Sequence, residues 1–447
     1  MLEGETYTVH IGSNLDVLPT LEDNSIDSIV TDPPYELGFM GKKWDSSGIA
    51  YSVELWKECL RVLKPGGHLL SFGGTRTWHR VAVAIEDAGF EVRDSIAWMY
   101  GSGFPKSLDV SKAIDKAAGA EREVVGTKTT RIPGGNTFAQ DEWTQQAREL
   151  GEVDITAPST PEAQQWEGWG TALKPAFEPI VVARKPLIGT VAENVLTHGT
   201  GALNIDGSRI AAKDGVPKFQ QKGESATGVY GNGLHGSSRT GEQDFTTGRW
   251  PANVILDEYS AEILDEQSGI SRSKATIRPA NSTGRSGGIM GQTVERSDVG
   301  QPMGHSDSGG ASRFFYVAKA SKRDRNEGLE YLPDTHPSEV TGRKVGSAGA
   351  KNGGYAGMTE TPRKNTHPTV KPTALMRYLV KLVTPPNGTV LDPFTGSGST
   401  GKAAILEGFR FVGIELTEDY IPIIEGRLKF AQQQKKDNDE KDKEQLF

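Results

Sequence analysis

A tetrapeptide near the start of the chain, Asp32-Pro33-Pro34-Tyr35, carries residue types that can hold an amino group. It follows the apolar run from Ile26 to Val30, which predicts a buried strand. The Asp32 carboxylate and the Pro33 carbonyl can accept amino hydrogens, while the two prolines stiffen the backbone and remove competing N–H donors. The Tyr35 ring offers a face on which a flat heterocycle can stack. The turn is therefore a candidate catalytic site, and a strand-terminating Pro-Pro turn is the structural alternative.

A second turn near the other end of the chain runs from Asp392 to Gly398 with the sequence DPFTGSG. Gly396 and Gly398 allow a tight turn and a close approach of backbone N–H groups to a ligand. Glu415 follows about 20 residues later, where an acidic group can accept hydrogen bonds from ribose hydroxyls. The pattern alone indicates a nucleotide-binding half-domain, NAD included, or a glycine turn without a ligand.

The details of this turn argue against a dinucleotide. The three-glycine fingerprint is not met, and Asp392 stands where a pyrophosphate would be repelled. A carboxylate at that position instead suits a cationic ligand, such as a methionine ammonium or a sulfonium.

Composition sets the broad class. The chain has 447 residues, which suits two domains, and 35% of them are hydrophobic. No apolar run approaches the ~20 residues of a membrane helix, and no signal pattern opens the chain, so we expect a cytoplasmic protein. The single cysteine, Cys59, excludes an internal disulfide and any multi-cysteine metal site, and it lies in an amphipathic segment that predicts a buried side chain. The eight histidines show no ligand spacing, so we expect no metal.

Strand and helix patterns alternate at both ends of the chain, which predicts an α/β fold with a mostly parallel central sheet. Sequence rich in Gly, Ser, Thr and Asn separates these two regular regions. A Lys-Pro-Gly-Gly stop signal at residues 64–67 ends one helical pattern before the strand expected at His68–Phe72. One short helix is expected at Ser111–Ala118, and the polar tail is expected to be a frayed helix end or disordered. The pattern divides the chain into a catalytic half (1–110), an insertion (111–173) and a returning strand (174–186). A loop-rich inserted region (187–366), a cofactor half (367–430) and a polar tail (431–447) follow.

Three motifs in this order resemble the β-group of S-adenosylmethionine-dependent DNA amino-methyltransferases. They are the DPPY turn, the segment from His367 to Pro372 (HPTVKP), and the DPFTGSG turn followed by Glu415. The match covers roughly half the chain. The resemblance implies a Rossmann-like methyltransferase fold that is circularly permuted, with the catalytic turn before the cofactor turn and a target-recognition region between them. It also implies S-adenosylmethionine as cofactor and double-stranded DNA as substrate.

Carried over position by position, the resemblance assigns roles to individual residues. Asp32, Pro33, Pro34 and Tyr35 would hold a base flipped out of the duplex. Asp392, Phe394, Gly396 and Gly398 would bind the methionine end of the cofactor. Thr369 and Lys371 would bind its carboxylate, Glu415 its ribose and Asp16 its adenine.

Two basic segments are candidates for contact with DNA, although the net charge of the chain is −8. Phe39, Lys42, Lys43 and Trp44 follow the catalytic turn and could clamp phosphate and stack bases, or they could form an ordinary loop. From Ser271 to Thr373 there are 16 Lys and Arg against 9 Asp and Glu, a local excess of 7 positive charges. Within this stretch, the cations Lys322, Arg323 and Arg325 could follow phosphates or form a solvated helix face.

The sequence favours adenine N6 as the methylated atom, because Asp as the first residue of the tetrapeptide is more usual for adenine in this family. Cytosine N4 is the alternative. An RNA or protein-glutamine methyltransferase usually has the cofactor turn first, and a catalytically silent DNA-binding module would show degraded motifs. The sequence leaves open the target site, a homodimeric state and a cognate restriction endonuclease.

Overall fold

The protein forms two compact units in a computed structural model, residues Met1–Ala202 with Lys319–Phe447 as unit 1 and Leu203–Ala318 as unit 2. The structure describes residues 1–37, 46–101, 103, 107–131, 150–211, 248–273, 276–277, 283–285, 293–295, 302–303, 307–319, 322–335 and 364–444. Within these ranges, no helix has the length and apolar character needed to cross a membrane.

The described strands are, in chain order, β1 Leu2–Glu3, β2 Tyr7–Ile11, β3 Ile26–Thr31, β4 Leu63–Phe72, β5 Glu91–Met99, β6 Val124–Arg131, β7 Leu150–Thr156, β8 Phe177–Arg184, β9 Val254–Asp257, β10 Ser271–Arg272, β11 Thr276–Ile277, β12 Thr283–Arg285, β13 Thr293–Glu295, β14 Pro302–Met303, β15 Ser308–Gly309, β16 Tyr316–Ala318, β17 Thr389–Asp392 and β18 Arg410–Glu415. The described α-helices are α1 Asn14–Val17, α2 Val53–Val62, α3 Trp78–Asp87, α4 Val110–Ala117, α5 Pro161–Gln165, α6 Val191–His198, α7 Glu258–Ser268, α8 Lys322–Asn326, α9 Thr373–Val383, α10 Ser399–Leu406 and α11 Ile421–Glu444.

The central sheet of unit 1 has the strand order β1-β2-β18-β17-β3-β4-β8-β5. Neighbours from β2 to β4 pair in parallel. β8 runs antiparallel to both β4 and β5, and β1 is antiparallel to β2. The expectation of a Rossmann-like α/β fold with a mostly parallel sheet is therefore confirmed. The carboxyl ends of the parallel strands, together with the first residues of β8, meet at one edge.

Helices cover both faces of this sheet, as alternation along the strands shows. Ile29 of β3 and Leu391 of β17 belong to a buried core with α2 and α3. Ser28 points to the other face, where its hydroxyl lies 2.8 Å from that of Thr384, directly after α9. Cys59 of α2 is buried in the first core, as predicted, and burial raises the pKa of its thiol.

Three local predictions need correction. Residues 64–67, expected as a turn between helix and strand, lie inside β4, where the register shifts between the pairs Ile26 with Leu63 and Ser28 with His68. The insertion at 111–173 contains the antiparallel pair β6 and β7 besides its expected helix. The polar tail, expected to be a frayed helix end or disordered, continues α11 to Glu444. Pairs four residues apart stabilise that extension, such as the ion pair between Lys435 and Asp439.

The expected target-recognition region, 187–366, is wider than the second compact unit. Its first residues belong to unit 1, because Asn194 of α6 donates to the carbonyl of Pro65 at 2.8 Å and Thr200 donates to the same carbonyl at 2.6 Å. Its last described residues belong there too, because Arg325 donates to the carbonyls of Asn365 and His367. Such long-range polar contacts leave no signal in local composition.

Unit 2 has few long elements among its described residues. β9 and β16 pair in parallel, and α7 follows β9 directly. A buried ion pair stabilises the unit, with Arg249 Nη2 at 2.5 Å from Asp307 Oδ1. Arg313 Nε lies 3.5 Å from the same carboxylate, and both guanidinium groups lie over the Phe314 ring. The hydrogen bond from Arg249 holds the pKa of Asp307 below its ordinary value.

A buried ion cluster attaches α8 to the C-terminal helices of unit 1. Lys402 of α10, 1% exposed, lies 2.7 Å from Asp324 Oδ1 and 2.9 Å from Glu327 Oε2. Asp324 also accepts from the backbone N–H of Thr373, the first residue of α9, at 2.7 Å. Burial opposes ionisation of Asp324, but the nearby Lys402 outweighs it and keeps the pKa of that carboxyl below its ordinary value.

We predict that Asp324→Ala destabilises unit 1 by about 3–5 kcal/mol, because it leaves buried cations without a main partner. Arg323→Ala is the matched control on the same helix. The Arg323 side chain is 85% exposed, so its removal should change stability by no more than about 0.5 kcal/mol. Urea unfolding followed by tryptophan fluorescence measures both variants, and equal transition midpoints would contradict the assigned role of Asp324.

Candidate functional site

The two turns singled out in the sequence lie side by side. β3 and β17 pair in parallel, with Ile29 opposite Leu391, so their carboxyl ends adjoin. Thr31 at the end of β3 donates through its hydroxyl to Asp392 Oδ1 at 2.6 Å. The structure thus brings together Asp32 and Asp392, which stand at opposite ends of the chain.

The glycine turn after β17 has the backbone geometry that the sequence predicts. Gly396 and Gly398 have φ of 54° and 73°, a region that favours glycine. The N–H of Gly396 donates to Glu415 Oε2 at 2.7 Å, and the N–H of Thr417 donates to Oε1 at 2.8 Å. Burial raises the pKa of Glu415 to about 7. Glu415 therefore lies at the tip of β18, beside the turn.

The Asp392 carboxyl group lies inside the turn. Its side chain is buried and accepts hydrogen bonds from the Thr31 hydroxyl and from the N–H of Phe394, at 3.1 Å. Burial raises the pKa of Asp392 to about 6. This carboxyl group holds the turn in shape from inside, and Phe394 is half-buried against the neighbouring core.

His367 covers the glycine turn. A Cβ atom on Gly396 would lie 2.9 Å from His367 Nε2. The histidine Nδ1 lies 3.0 Å from the carbonyl oxygen of Thr369, and the ring stacks edge-on against Tyr420 at 4.6 Å between centroids. Burial lowers the pKa of His367 to about 3, so the ring is neutral. His367 thus links Thr369 to the glycine turn.

Arg427 of α11 supports the glycine turn, a role that the sequence motifs do not predict. Its Nη1 donates to the Ser397 carbonyl at 2.7 Å and contacts the hydroxyls of Ser397 and Ser399 at 3.0 Å. The side chain is fully buried, and burial lowers its pKa to about 10.

The catalytic turn contains a second buried charge cluster. Lys371 Nζ lies 2.6 Å from Asp32 Oδ2, 3.2 Å from Glu178 Oε2 and 3.2 Å from the Tyr35 hydroxyl. The Tyr35 hydroxyl donates to Glu178 Oε2 at 2.8 Å. Lys371 also lies 4.8 Å from the centre of the Phe72 ring. The ammonium predicted to meet the cofactor carboxylate thus contacts the catalytic turn.

Burial dominates the electrostatics of this cluster. It raises the pKa of Asp32, against the pull of Lys371, and it raises that of Tyr35. Burial opposes the charge on Lys371, but the carboxylates of Asp32 and Glu178 outweigh it and raise its pKa. Asp32 Oδ1 is buried and has no hydrogen-bond partner among the described residues. An acceptor in that position can take a hydrogen from an amino group.

The other predicted residues have varied positions. Asp16 is exposed on α1, just after β2, whose last residue Ile11 pairs with Glu415. Arg325 contacts backbone carbonyls, and Arg323 is exposed. The tentative DNA contacts Phe39, Lys42, Lys43 and Trp44 lie outside the described residues, as does the side chain of Lys322. In the part of the chain that is described, no group of three or more His, Cys, Asp or Glu could hold a metal.

Glu178 is the site residue that sequence reasoning missed. It is the second residue of β8, the strand predicted from its apolar run, and it pairs with Trp98 of β5. Because β8 is antiparallel, its first residues reach the edge where the parallel strands end. A carboxylate at the start of an apolar strand was the available signal.

A family model described as DNA methylase, N6_N4_Mtase, matches residues 26–426 of this chain. The chain belongs to this family. The matched residues include both turns, the HPTVKP segment and Glu178. The family assignment therefore agrees with the resemblance drawn from the motifs.

Individual relatives match over shorter stretches. The DNA adenine methyltransferase YhdJ of Escherichia coli is 45% identical over 65 residues, which are 14% of this chain and 22% of that protein. The type II methyltransferase M.HindIII of Haemophilus influenzae is 28% identical over 156 residues, 34% of this chain and 38% of that protein. The matched part thus spans well under half the length of either relative.

Solved structures resemble the chain more loosely. The PvuII DNA methyltransferase (cytosine-N4-specific) aligns over 95% of this chain and 86% of its own, with a TM-score of 0.39 and 13% identity. The complex of M1.HpyAVI with SAM aligns over 95% and 100%, with a TM-score of 0.35 and 13% identity. Because both scores are low, the fold assignment rests on the strand order of the central sheet.

The pKa of Glu415 yields a prediction about stability. A carboxyl whose pKa is raised to about 7 from 4.5 favours the folded state below pH 4.5, and it loses that contribution as pH rises to about 7. Glu415→Gln removes this dependence. Relative to the wild type, the variant should therefore gain roughly 2–3 kcal/mol of unfolding free energy between pH 4.5 and pH 8. Urea unfolding of both proteins at the two pH values measures the change, and a pH-independent difference would contradict the shifted pKa.

Proposed function

We propose that this protein is a site-specific DNA methyltransferase that transfers a methyl group from S-adenosylmethionine to the N6 amine of adenine in duplex DNA. The target base would be flipped out of the helix, because the turn cannot reach an exocyclic amine inside the stack. The enzyme would act in the cytoplasm on double-stranded DNA.

The observation that carries the proposal is the adjacency of the two turns. A carboxylate suited to an amino group follows β3, a glycine turn suited to a nucleoside cofactor follows β17, and these strands are neighbours. The free, buried Oδ1 of Asp32 supplies an acceptor beside them. Family membership supports the same chemistry.

The residues around the glycine turn fit S-adenosylmethionine. Both oxygens of Glu415 accept one backbone N–H each, and a carboxylate has further lone pairs that ribose hydroxyls could use. Gly396 and Phe394 would line the methionine end, and the exposed Asp16 would approach the adenine. Asp392 would act on the cationic cofactor through its charge, because its Oδ1 already accepts from Thr31 and Phe394. The cofactor supplies an electrophilic methyl group on a sulfonium.

The catalytic turn prepares the amine for direct transfer. Asp32 accepts one amino hydrogen and the Pro33 carbonyl accepts the other, so the nitrogen lone pair points away from the ring plane and toward the methyl donor. Tyr35 stacks against the base. No covalent enzyme intermediate is needed, which agrees with a single cysteine that is buried in the core.

Adenine is favoured over cytosine by Asp32 as the first residue of the tetrapeptide, and cytosine N4 is the second candidate. The chain order, with β3 before β17, supports assignment to the permuted β-group. A homodimeric state and a cognate restriction endonuclease are both compatible with this function.

The decisive test is labelled methyl transfer to unmodified genomic DNA, followed by digestion and mass spectrometry of the nucleosides. We expect N6-methyladenine from the wild type. Asp32→Ala should give no product while keeping cofactor affinity within a few-fold of the wild type, because Asp32 contacts the base and not the cofactor. Detection of N4-methylcytosine would identify cytosine N4, the second candidate, as the methylated atom. Full activity of Asp32→Ala would refute the mechanism.

A second prediction concerns the cofactor turn. Gly396→Ala should weaken binding of S-adenosylmethionine at least about tenfold, because alanine is strained at φ 54° and its Cβ meets His367. Gly119→Ala is the matched control in the same unit, with φ 65° and no heavy atom within 4 Å of the added Cβ. Calorimetric titration of both variants tests the assignment, and equal affinities would remove Gly396 from the cofactor site.

A further inference from the structure

Glu178 is a buried-site carboxylate to which the proposed chemistry gives no role. Its Oε2 receives the Tyr35 hydroxyl at 2.8 Å and lies 3.2 Å from the Lys371 ammonium. Its side chain is 20% exposed, and its backbone is fixed by pairing between β8 and β5. Glu178 therefore meets the catalytic turn from a strand that does not itself carry the turn.

The charges of this cluster are arranged around one ammonium. Lys371 lies between two carboxylates, with the shorter contact, 2.6 Å, to Asp32 Oδ2. Asp32 and Glu178 repel one another across it. An exocyclic amine that docks on Asp32 would meet a carboxylate already neutralised by Lys371. The amine can donate to the free Oδ1, and Asp32 becomes the stronger acceptor if the ammonium weakens its contact with Oδ2. The ammonium can do so only with another partner at hand, since an unpaired buried charge is costly.

We propose that Glu178 is a positioning residue that takes over the Lys371 ammonium when a target base occupies Asp32. In the base-free protein Lys371 neutralises Asp32 and holds its place. As the base amine donates to Asp32, Lys371 shifts toward Glu178, which already lies within ion-pair distance. Tyr35 stays attached to the same carboxylate and keeps its ring in position for stacking. This inference rests on the proposed methyl transfer.

The arrangement predicts reciprocal rescue between two substitutions. Glu178→Gln leaves Lys371 with Asp32 as its only carboxylate partner in the cluster, so base docking is hindered. Lys371→Met leaves two neighbouring carboxylates without a cation, which favours protonation of one of them. The double variant removes both the competing ammonium and the repulsion of Asp32 by a second carboxylate, so Asp32 should accept from the base better than it does in either single variant.

The experiment measures methyl incorporation into unmodified genomic DNA at saturating S-adenosylmethionine, with cofactor affinity determined separately for each protein. We expect each single variant to lose at least about tenfold in rate, and the double variant to regain at least about fivefold over Glu178→Gln. Glu178→Gln should keep its cofactor affinity. Glu91→Gln is the matched control and should keep the wild-type rate. It neutralises a carboxylate whose Oε2 lies 2.6 Å from Nη2 of Arg184, at the far end of β8.

The outcomes separate this inference from the proposed function. Losses that simply add in the double variant, or a wild-type rate for Glu178→Gln, would overturn the role of Glu178 while leaving DNA methylation intact. A wild type that binds the cofactor but does not label DNA would refute the proposed function itself, and this inference with it.

Discussion

β3 and β17 come from opposite ends of the chain, and their parallel pairing places the catalytic and cofactor turns side by side. The hydrogen bond between Thr31 and Asp392 at their ends joins residues separated by 361 positions. The same register places Ile29 and Leu391 in one core. A slip of one residue would exchange the two faces of a strand and expose its core side chains. Core packing therefore sets the distance between the catalytic and cofactor turns.

Buried cations then attach the C-terminal half to this frame. Lys371 joins its segment to β3 and β8, Lys402 joins α10 to α8, and Arg427 joins α11 to the glycine turn. A buried charge is tolerated only where its partners are in place. Each of these cations thus specifies one arrangement of distant segments, although its net contribution to stability is small. The site is surrounded by groups that are costly to displace, which keeps the two turns aligned.

Much of this arrangement could be predicted from local sequence. The apolar runs before both turns, the amphipathic spacing of α2 and the positive φ of Gly396 are properties of short segments. The contact of Lys371 with Asp32 and Glu178 is not such a property, because it depends on which strand ends meet at one edge. The antiparallel insertion of β8 between β4 and β5 decides that Glu178 reaches the site. The inclusion of residues 64–67 in β4 likewise depends on sheet pairing, and the glycine and proline pattern there predicted a turn.

The charge that the segment from Ser271 to Thr373 presents to DNA also depends on contacts that local sequence does not reveal. Its excess of positive residues suggested a surface for DNA. However, Arg313 pairs with Asp307, and Lys371 pairs with the carboxylates of the catalytic turn. Lys364 donates to the carbonyl of Leu332 at 2.6 Å. An exposed cation such as Arg323 contributes more to the field that a phosphate backbone senses than a buried, paired cation does. A count along the sequence therefore overstates the attraction of this segment for DNA, because part of its charge balances carboxylates inside the fold.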